Sequence, residues 1–191
     1  MQKNLIKRLF EIGKSCNISD VIYKKYDECF GKIGMLKTSY CIELKDDVTP
    51  VIVPPRKIPV ALKDRLKEEL TKMEDMGVIE KVEKATDWVN ALVVAEKPNG
   101  KLRICLDPRP LNKAIKRQHY RLPTSEEIFS MMTGAQVFSK IDASNGYWQI
   151  PVDERSSDLL TFATVFGRYK FKRMPFGIHS ASEIFKGRWE K

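Results

Sequence analysis

Across residues 62–76 the apolar positions Leu62, Leu66, Leu70, Met73 and Met76 recur every three or four residues, with Lys63, Lys67, Glu68 and Glu69 between them. That spacing gathers the apolar groups on one stripe of a helix and turns the charges outward, and Gly77 stands where a left-handed stop residue belongs. Leu5, Ile6, Leu9, Phe10 and Ile12 predict a shorter amphipathic helix before Gly13. Elsewhere the period drops to two or the apolar run is unbroken, which predicts strands over residues 40–44, 89–95 and 102–106. The Asn-Gly pair of Lys97-Pro98-Asn99-Gly100 favours a tight hairpin between the last two. A second hairpin is predicted around Phe166-Gly167-Arg168, joining residues 160–164 to 169–173.

Thr124-Ser125-Glu126-Glu127 fits a capping box that opens a helix through Met132 and ends at Gly134. Residues 137–141 then read as a buried strand delivering Asp142 at its end, and the tail over 177–191 suits a helix. Four prolines within residues 49–59 exclude helix and central sheet, so this stretch is read as an extended connector. Residues 1–48 are accordingly an N-terminal segment and 49–191 the main domain. Helices interleaved with antiparallel hairpins place that domain in the α+β class.

Composition adds a partner. The 191 residues are 42% hydrophobic and 9% aromatic, enough for a packed core, and 34 Lys and Arg against 25 Asp and Glu leave +9. An excess of that size suits a polyanion, because each neutralised phosphate releases counterions; a solvated basic surface is the plain alternative. Cys16, Cys29, Cys41 and Cys105 show no C-x-x-C spacing and there are two histidines, so reduced, mostly buried thiols are expected rather than a zinc site. The N-terminus is too charged for a secretory apolar core, and no run approaches the ~20 apolar residues of a membrane span. An intracellular protein with no membrane partner is expected; the dispersed Lys and Arg do not distinguish cytoplasm from nucleus.

The candidate chemistry centres on Asp142, in Ile141-Asp142-Ala143-Ser144-Asn145-Gly146-Tyr147-Trp148. A carboxylate at a strand end before a glycine-containing turn can face a cleft, where its hard oxygens suit Mg²⁺; a turn-capping aspartate reads the same way. This segment, an Asp followed five residues later by an aromatic, resembles the first palm motif of reverse transcriptases. Val78-Ile79-Glu80, Trp88-Val89 and the run from Asn99 to Asn112 resemble the fingers; His119-Tyr120-Arg121-Leu122-Pro123-Thr124 and Arg173-Met174-Pro175-Phe176-Gly177-Ile178 resemble the segments flanking the first palm strands. In this order and spacing they resemble the polymerase domain of a gypsy-type long-terminal-repeat retrotransposon Pol polyprotein.

The resemblance implies an RNA-directed DNA polymerase that takes RNA template, DNA primer and deoxynucleoside triphosphates. Asp142 would be the first metal-binding carboxylate, with the Ala143 carbonyl beside it, for Mg²⁺ ions that drive in-line displacement. Arg103 would grip the incoming triphosphate, with Lys97 as a second cation; both also read as a solvated hairpin. Tyr147 would lie beneath the sugar and exclude a 2′-hydroxyl by clash. Phe176 would stack at the templating base pair, with Gly177 allowing close backbone approach. Core packing is the plain reading of both aromatics.

The chain departs from the family in carrying no Tyr-x-Asp-Asp; its one Asp-Asp pair, Asp46-Asp47, lies in a polar turn far upstream. Ser182 stands where the family usually shows Pro, and Lys186-Gly187-Arg188-Trp189-Glu190-Lys191 is unlike the family continuation. The expectation is a truncated domain, fingers and the first half of the palm, catalytically inert alone and completed by the remainder of a polyprotein. A non-catalytic nucleic-acid-binding module and a degenerate transposon remnant are the alternatives.

Overall fold

The computed structural model describes residues 24–27, 33–96, 98, 100, 102–117, 119–138 and 142–189, with the backbone alone at 189. The helix predicted over residues 5–12 lies outside them. The chain divides into two compact units, residues 1–34 with 123–144, and residues 35–122 with 145–191.

In the second unit, helix α1 (Val60–Asp75) buries Leu66, Leu70 and Met73 of the stripe read from the sequence, while Leu62 is half-buried and Met76, just past the helix, is exposed. Met76 closes it in right-handed geometry, and Gly77 at φ +64° donates its N–H to the Glu74 carbonyl and reverses the chain. Strands β1 (Ile79–Val82), β2 (Ala91–Glu96) and β3 (Leu102–Asp107) follow, then helix α2 (Arg109–Ala114).

In the first unit, helix α3 (Ser125–Met131) carries the complete capping box. Glu127 N–H donates to Thr124 Oγ1 at 3.3 Å and Thr124 N–H to Glu127 Oε2 at 2.9 Å. The second unit resumes with a 3₁₀ turn (Gly146–Gln149), helix α4 (Glu154–Leu159), strands β4 (Thr161–Thr164) and β5 (Gly167–Phe171), and helix α5 (Ala181–Trp189).

Two antiparallel sheets result, β1-β5-β4 and β2-β3, so the α+β class read from the sequence is the one observed. Asn90 joins the sheets. Its N–H donates to the Thr161 carbonyl, and its buried side-chain amide donates to the Leu159 and Thr161 carbonyls, both at 2.9 Å. Phe162 and Phe171 of the three-stranded sheet are fully buried with ring centroids 5.1 Å apart, and Leu66, Leu70, Met73 and Ile79 are fully buried as well.

Lys170, the last but one residue of β5, is 3% exposed and is held by Glu154 and by Asp158 at 3.1 Å. Burial opposes its charge, yet the hydrogen bonds to those carboxylates outweigh burial and hold its pKa above the ordinary value. Burial likewise opposes the Asp158 charge, and the hydrogen bonds from Lys84 and Lys170 overcome it and lower the pKa. A raised lysine adds stability in full below its unfolded value, about 10.4, and loses it as pH climbs through the folded one; a lowered aspartate adds it above about 3.9 and loses it as pH falls through the folded one. Urea midpoints are therefore expected to be flat at neutral pH and to fall at both extremes, with the alkaline fall reduced in Lys170→Met.

Four local expectations are corrected. Residues 40–44 alternate in burial, Tyr40 and Ile42 inward, but form no ladder. Tyr40 bridges Val152, Ile42 N–H donates to Ser156 Oγ at 2.7 Å, and Leu44 bridges Ile115, so the neighbour changes every two residues. The first hairpin is not tight: Glu96 pairs with Leu102, leaving a five-residue connection in which Pro98 has no N–H to give a ladder. Val137 is 82% and Phe138 43% exposed and neither lies in a strand, because no described strand pairs with them; residues 139–141 lie outside the described residues. The described cysteines are not buried either, Cys41 being exposed and Cys105 half-buried.

Candidate nucleotide site

Strand β3 turns Leu102, Ile104 and Leu106 into the core, so the period of two turns Arg103 to solvent. Its guanidinium lies over the Phe176 ring, 5.1 Å from the centroid. A flat, weakly hydrated cation over an aromatic face is attracted by the ring quadrupole while its outer N–H groups stay free to meet an anion. Against the same ring packs Tyr147, centroids 5.1 Å apart and planes tilted 48°. Tyr147 also meets Phe185 of α5 edge-on at 6.0 Å, a partner that no motif in the sequence had marked.

The 3₁₀ turn makes this placement possible. Asn145 enters it at φ +48°, in the left-handed region that asparagine tolerates, and three residues per turn send neighbouring side chains to different faces. Trp148 is buried, 6.3 Å from Phe176, while Tyr147 remains half-buried. Arg173 Nη1 donates to the Trp148 carbonyl at 3.1 Å and ties the turn to the segment leading to Phe176.

Phe176 is set from its backbone. Leu106 N–H donates to the Phe176 carbonyl at 3.0 Å, fastening the turn onto β3. Gly177 follows at φ +116°, where a Cβ would lie 3.1 Å from Pro108 Cδ and closer still to the Leu106 carbonyl oxygen. This chain's own strand thus closes on Gly177 at its α-carbon. On the other side Asn112 Nδ2 donates to the Gly177 carbonyl at 2.9 Å.

Arg103, Tyr147, Phe176 and Gly177 therefore come together in the second unit. Asp142 and Ala143 belong to the first, Asp142 exposed and Ala143 half-buried, and Lys97 lies outside the described residues. Among the described residues no three His, Cys, Asp or Glu side chains gather to hold a metal ion. One carboxylate and one carbonyl fall short of the shell of about six oxygens that Mg²⁺ takes, so these residues alone do not make a cation site.

A basic cluster escaped the sequence reading. Asp107 accepts from Arg56 and, at 3.0 and 3.1 Å, from Arg109, beside a cavity of about 580 Å³ that Asn112 and Lys113 also line. One carboxylate among three cations leaves the cavity positive. Asp107-Pro108-Arg109 stood in the sequence as part of a motif, but its pairing with Arg56, 51 positions away, has no local signature.

Residues 95–187 match the family described as reverse transcriptase (RNA-dependent DNA polymerase). The chain is 34% identical over 144 residues to an uncharacterized protein of Caenorhabditis elegans, a match covering 74% of this chain and 11% of that protein. It is 30% identical over 148 residues to the enzymatic polyprotein of Cauliflower mosaic virus (strain Strasbourg), covering 76% of this chain and 22% of the polyprotein. The chain thus spans under a quarter of the length of either relative. The fold superposes on the foamy viral protease-reverse transcriptase dRH in complex with double-stranded DNA with a TM-score of 0.75, at 21% identity over 97% of this chain and 34% of that one. For the foamy viral protease-reverse transcriptase in complex with an RNA/DNA hybrid the TM-score is 0.74, at 19% identity over 97% of this chain and 26% of that one. The described residues include no helix long and apolar enough to cross a membrane.

Proposed function

We propose, from the premise that residues 95–187 belong to the reverse transcriptase family, that this chain contributes the nucleotide-gripping half of an RNA-directed DNA polymerase active site. The observation that carries the reading is the cluster of Arg103, Phe176 and Tyr147, a guanidinium over the Phe176 ring with the Tyr147 ring tilted against that same ring. Arg103 grips the triphosphate of an incoming deoxynucleotide, Tyr147 lies beneath its sugar, and Phe176 and Gly177 flank the templating pair; Lys97 is a second cation on the β2–β3 connection. Template RNA and primer DNA are the polyanion that the charge of +9 favours. The foamy viral neighbours, solved with double-stranded DNA and with an RNA/DNA hybrid, support the same partners.

Asp142 and the Ala143 carbonyl would supply part of a ligand set for Mg²⁺, which when bound would supply charge stabilisation for phosphoryl transfer. Residues 49–191 form the polymerase part and residues 1–48 lead into it, within a gypsy-type element's polyprotein. Because one carboxylate cannot hold two ions, a polypeptide of these 191 residues is expected to bind hybrid but to extend no primer. Extension of oligo-dT on poly-rA tests this. Magnesium-dependent synthesis that Asp142→Ala abolishes would overturn the inertness.

A second reading, a nucleic-acid-binding module without catalysis, is favoured by the positive cavity at Arg56, Arg109 and Lys113. Under either reading, filter binding to RNA–DNA hybrid is expected to weaken steeply from low to physiological salt. No binding even at low salt would remove both.

A further inference from the structure

We propose that Asn112 is a positioning residue that sets the distance between Arg103 and Phe176, an inference that rests on the nucleotide-site reading. Both ends of its amide are engaged. Nδ2–H donates to the Gly177 carbonyl at 2.9 Å, and Oδ1 accepts the His179 backbone N–H at 3.1 Å and lies 3.0 Å from His179 Nδ1. A primary amide holds a donor and an acceptor side by side without charge, so one side chain serves both backbone groups.

The anchor is firm. Asn112 N–H donates to the Pro108 carbonyl at 2.7 Å in the first turn of α2, and the neighbouring Leu111 is fully buried. Only Pro108 separates α2 from β3, the strand carrying Arg103. Residues 177–179 are therefore pinned to the same rigid piece of chain that presents the guanidinium. From the other side, the bond from Leu106 N–H to the Phe176 carbonyl fixes the turn at its start. Phe176 carries the first fastening on its own carbonyl, and Gly177 carries the second. Releasing either one frees the backbone that aims the ring at Arg103, and none of the Asn112 hydrogen bonds goes to Arg103, Phe176 or Tyr147 themselves.

The test uses the full chain labelled with ¹⁵N-arginine. In the intact protein the Arg103 Nε–H resonance carries a ring-current shift from Phe176, identified by its loss in Phe176→Leu. In Asn112→Ala that shift is expected to collapse toward the Phe176→Leu position. Affinity for dTTP, with RNA–DNA hybrid present, is expected to fall about tenfold, since a small misplacement of a binding group is costly. The double variant Asn112→Ala, Arg103→Ala is expected to bind no more weakly than Arg103→Ala alone, because the two act on one contact. A purely structural asparagine would lower the melting temperature while leaving the ring-current shift in place, and its loss would multiply with that of Arg103; either result overturns the proposal. Should Asn112→Ala not fold, Asn112→Asp keeps the size and the acceptor but loses the donor to Gly177, and the same readouts decide. If Arg103→Ala leaves dTTP affinity untouched, the nucleotide reading falls by itself. The ring-current shift then judges the clamp alone, collapse supporting it and persistence overturning it.

Discussion

Gly177→Ala is expected to cost about 3 kcal/mol or more of folding stability, enough to consume a large part of what a small domain has. Two effects combine. At φ +116° any L side chain is strained, and the added methyl would drive into the Leu106 carbonyl and against Pro108, both of them backbone or ring atoms that cannot swing aside. The displaced turn would also lose the Leu106 N–H bond to Phe176 and the Asn112 bond to Gly177. Gly77→Ala is the control. It shares a positive φ, +64°, but has nothing within 4 Å of the new Cβ, so its expected cost is about 1 kcal/mol. Urea midpoints of the two variants measure the difference, and equal losses would show that the approach at Leu106 carries no weight.

Arg103→Ala is expected to weaken dTTP binding about ten- to a hundredfold, measured with RNA–DNA hybrid present. The estimate follows from removing charge-assisted hydrogen bonds to phosphate from a group whose outer edge is exposed. The fold should barely notice, since a cation–π contact at an exposed site contributes only about 0.5–1 kcal/mol. Arg103→Lys is expected to recover little. An ammonium is a point charge without the planar fork, and it stacks poorly on Phe176. Hybrid binding, spread over many cations, should fall far less. If Arg103→Ala lowers hybrid and dTTP affinity alike, Arg103 is one more phosphate contact and not the nucleotide grip.

Much of the fold was legible because its signals are local. The 3.6-residue stripe of Leu66, Leu70 and Met73, the left-handed Gly77 and the Thr124 capping box each follow from side chains a few positions apart, and each is present. The alternation over residues 102–106 likewise set Arg103 outward. Where the reading failed, the determinant was distant. Whether residues 40–44 become a strand depends on neighbours 71 to 114 positions later, and those neighbours change along the segment. Residues 137–138 have a strand-like composition but no described partner, and apolarity without a partner does not make a ladder. In the site, Arg103 and Phe176 could be named singly from motifs, whereas their stacking across 73 positions, the edge contact of Phe185 and the two-ended engagement of Asn112 arise only from packing.

Ultraviolet cross-linking of 5-iodo-2′-deoxyuridine triphosphate to the chain in the presence of RNA–DNA hybrid, followed by mass-spectrometric mapping of the adduct, bears most directly on the nucleotide site. The adduct is expected on the peptide bearing Tyr147 or that bearing Phe176, to be displaced by unlabelled dTTP and to vanish in Arg103→Ala. An adduct confined to other peptides, or one on these peptides that persists undiminished in Arg103→Ala, would contradict the assignment of this stack as the place where the incoming nucleotide is held.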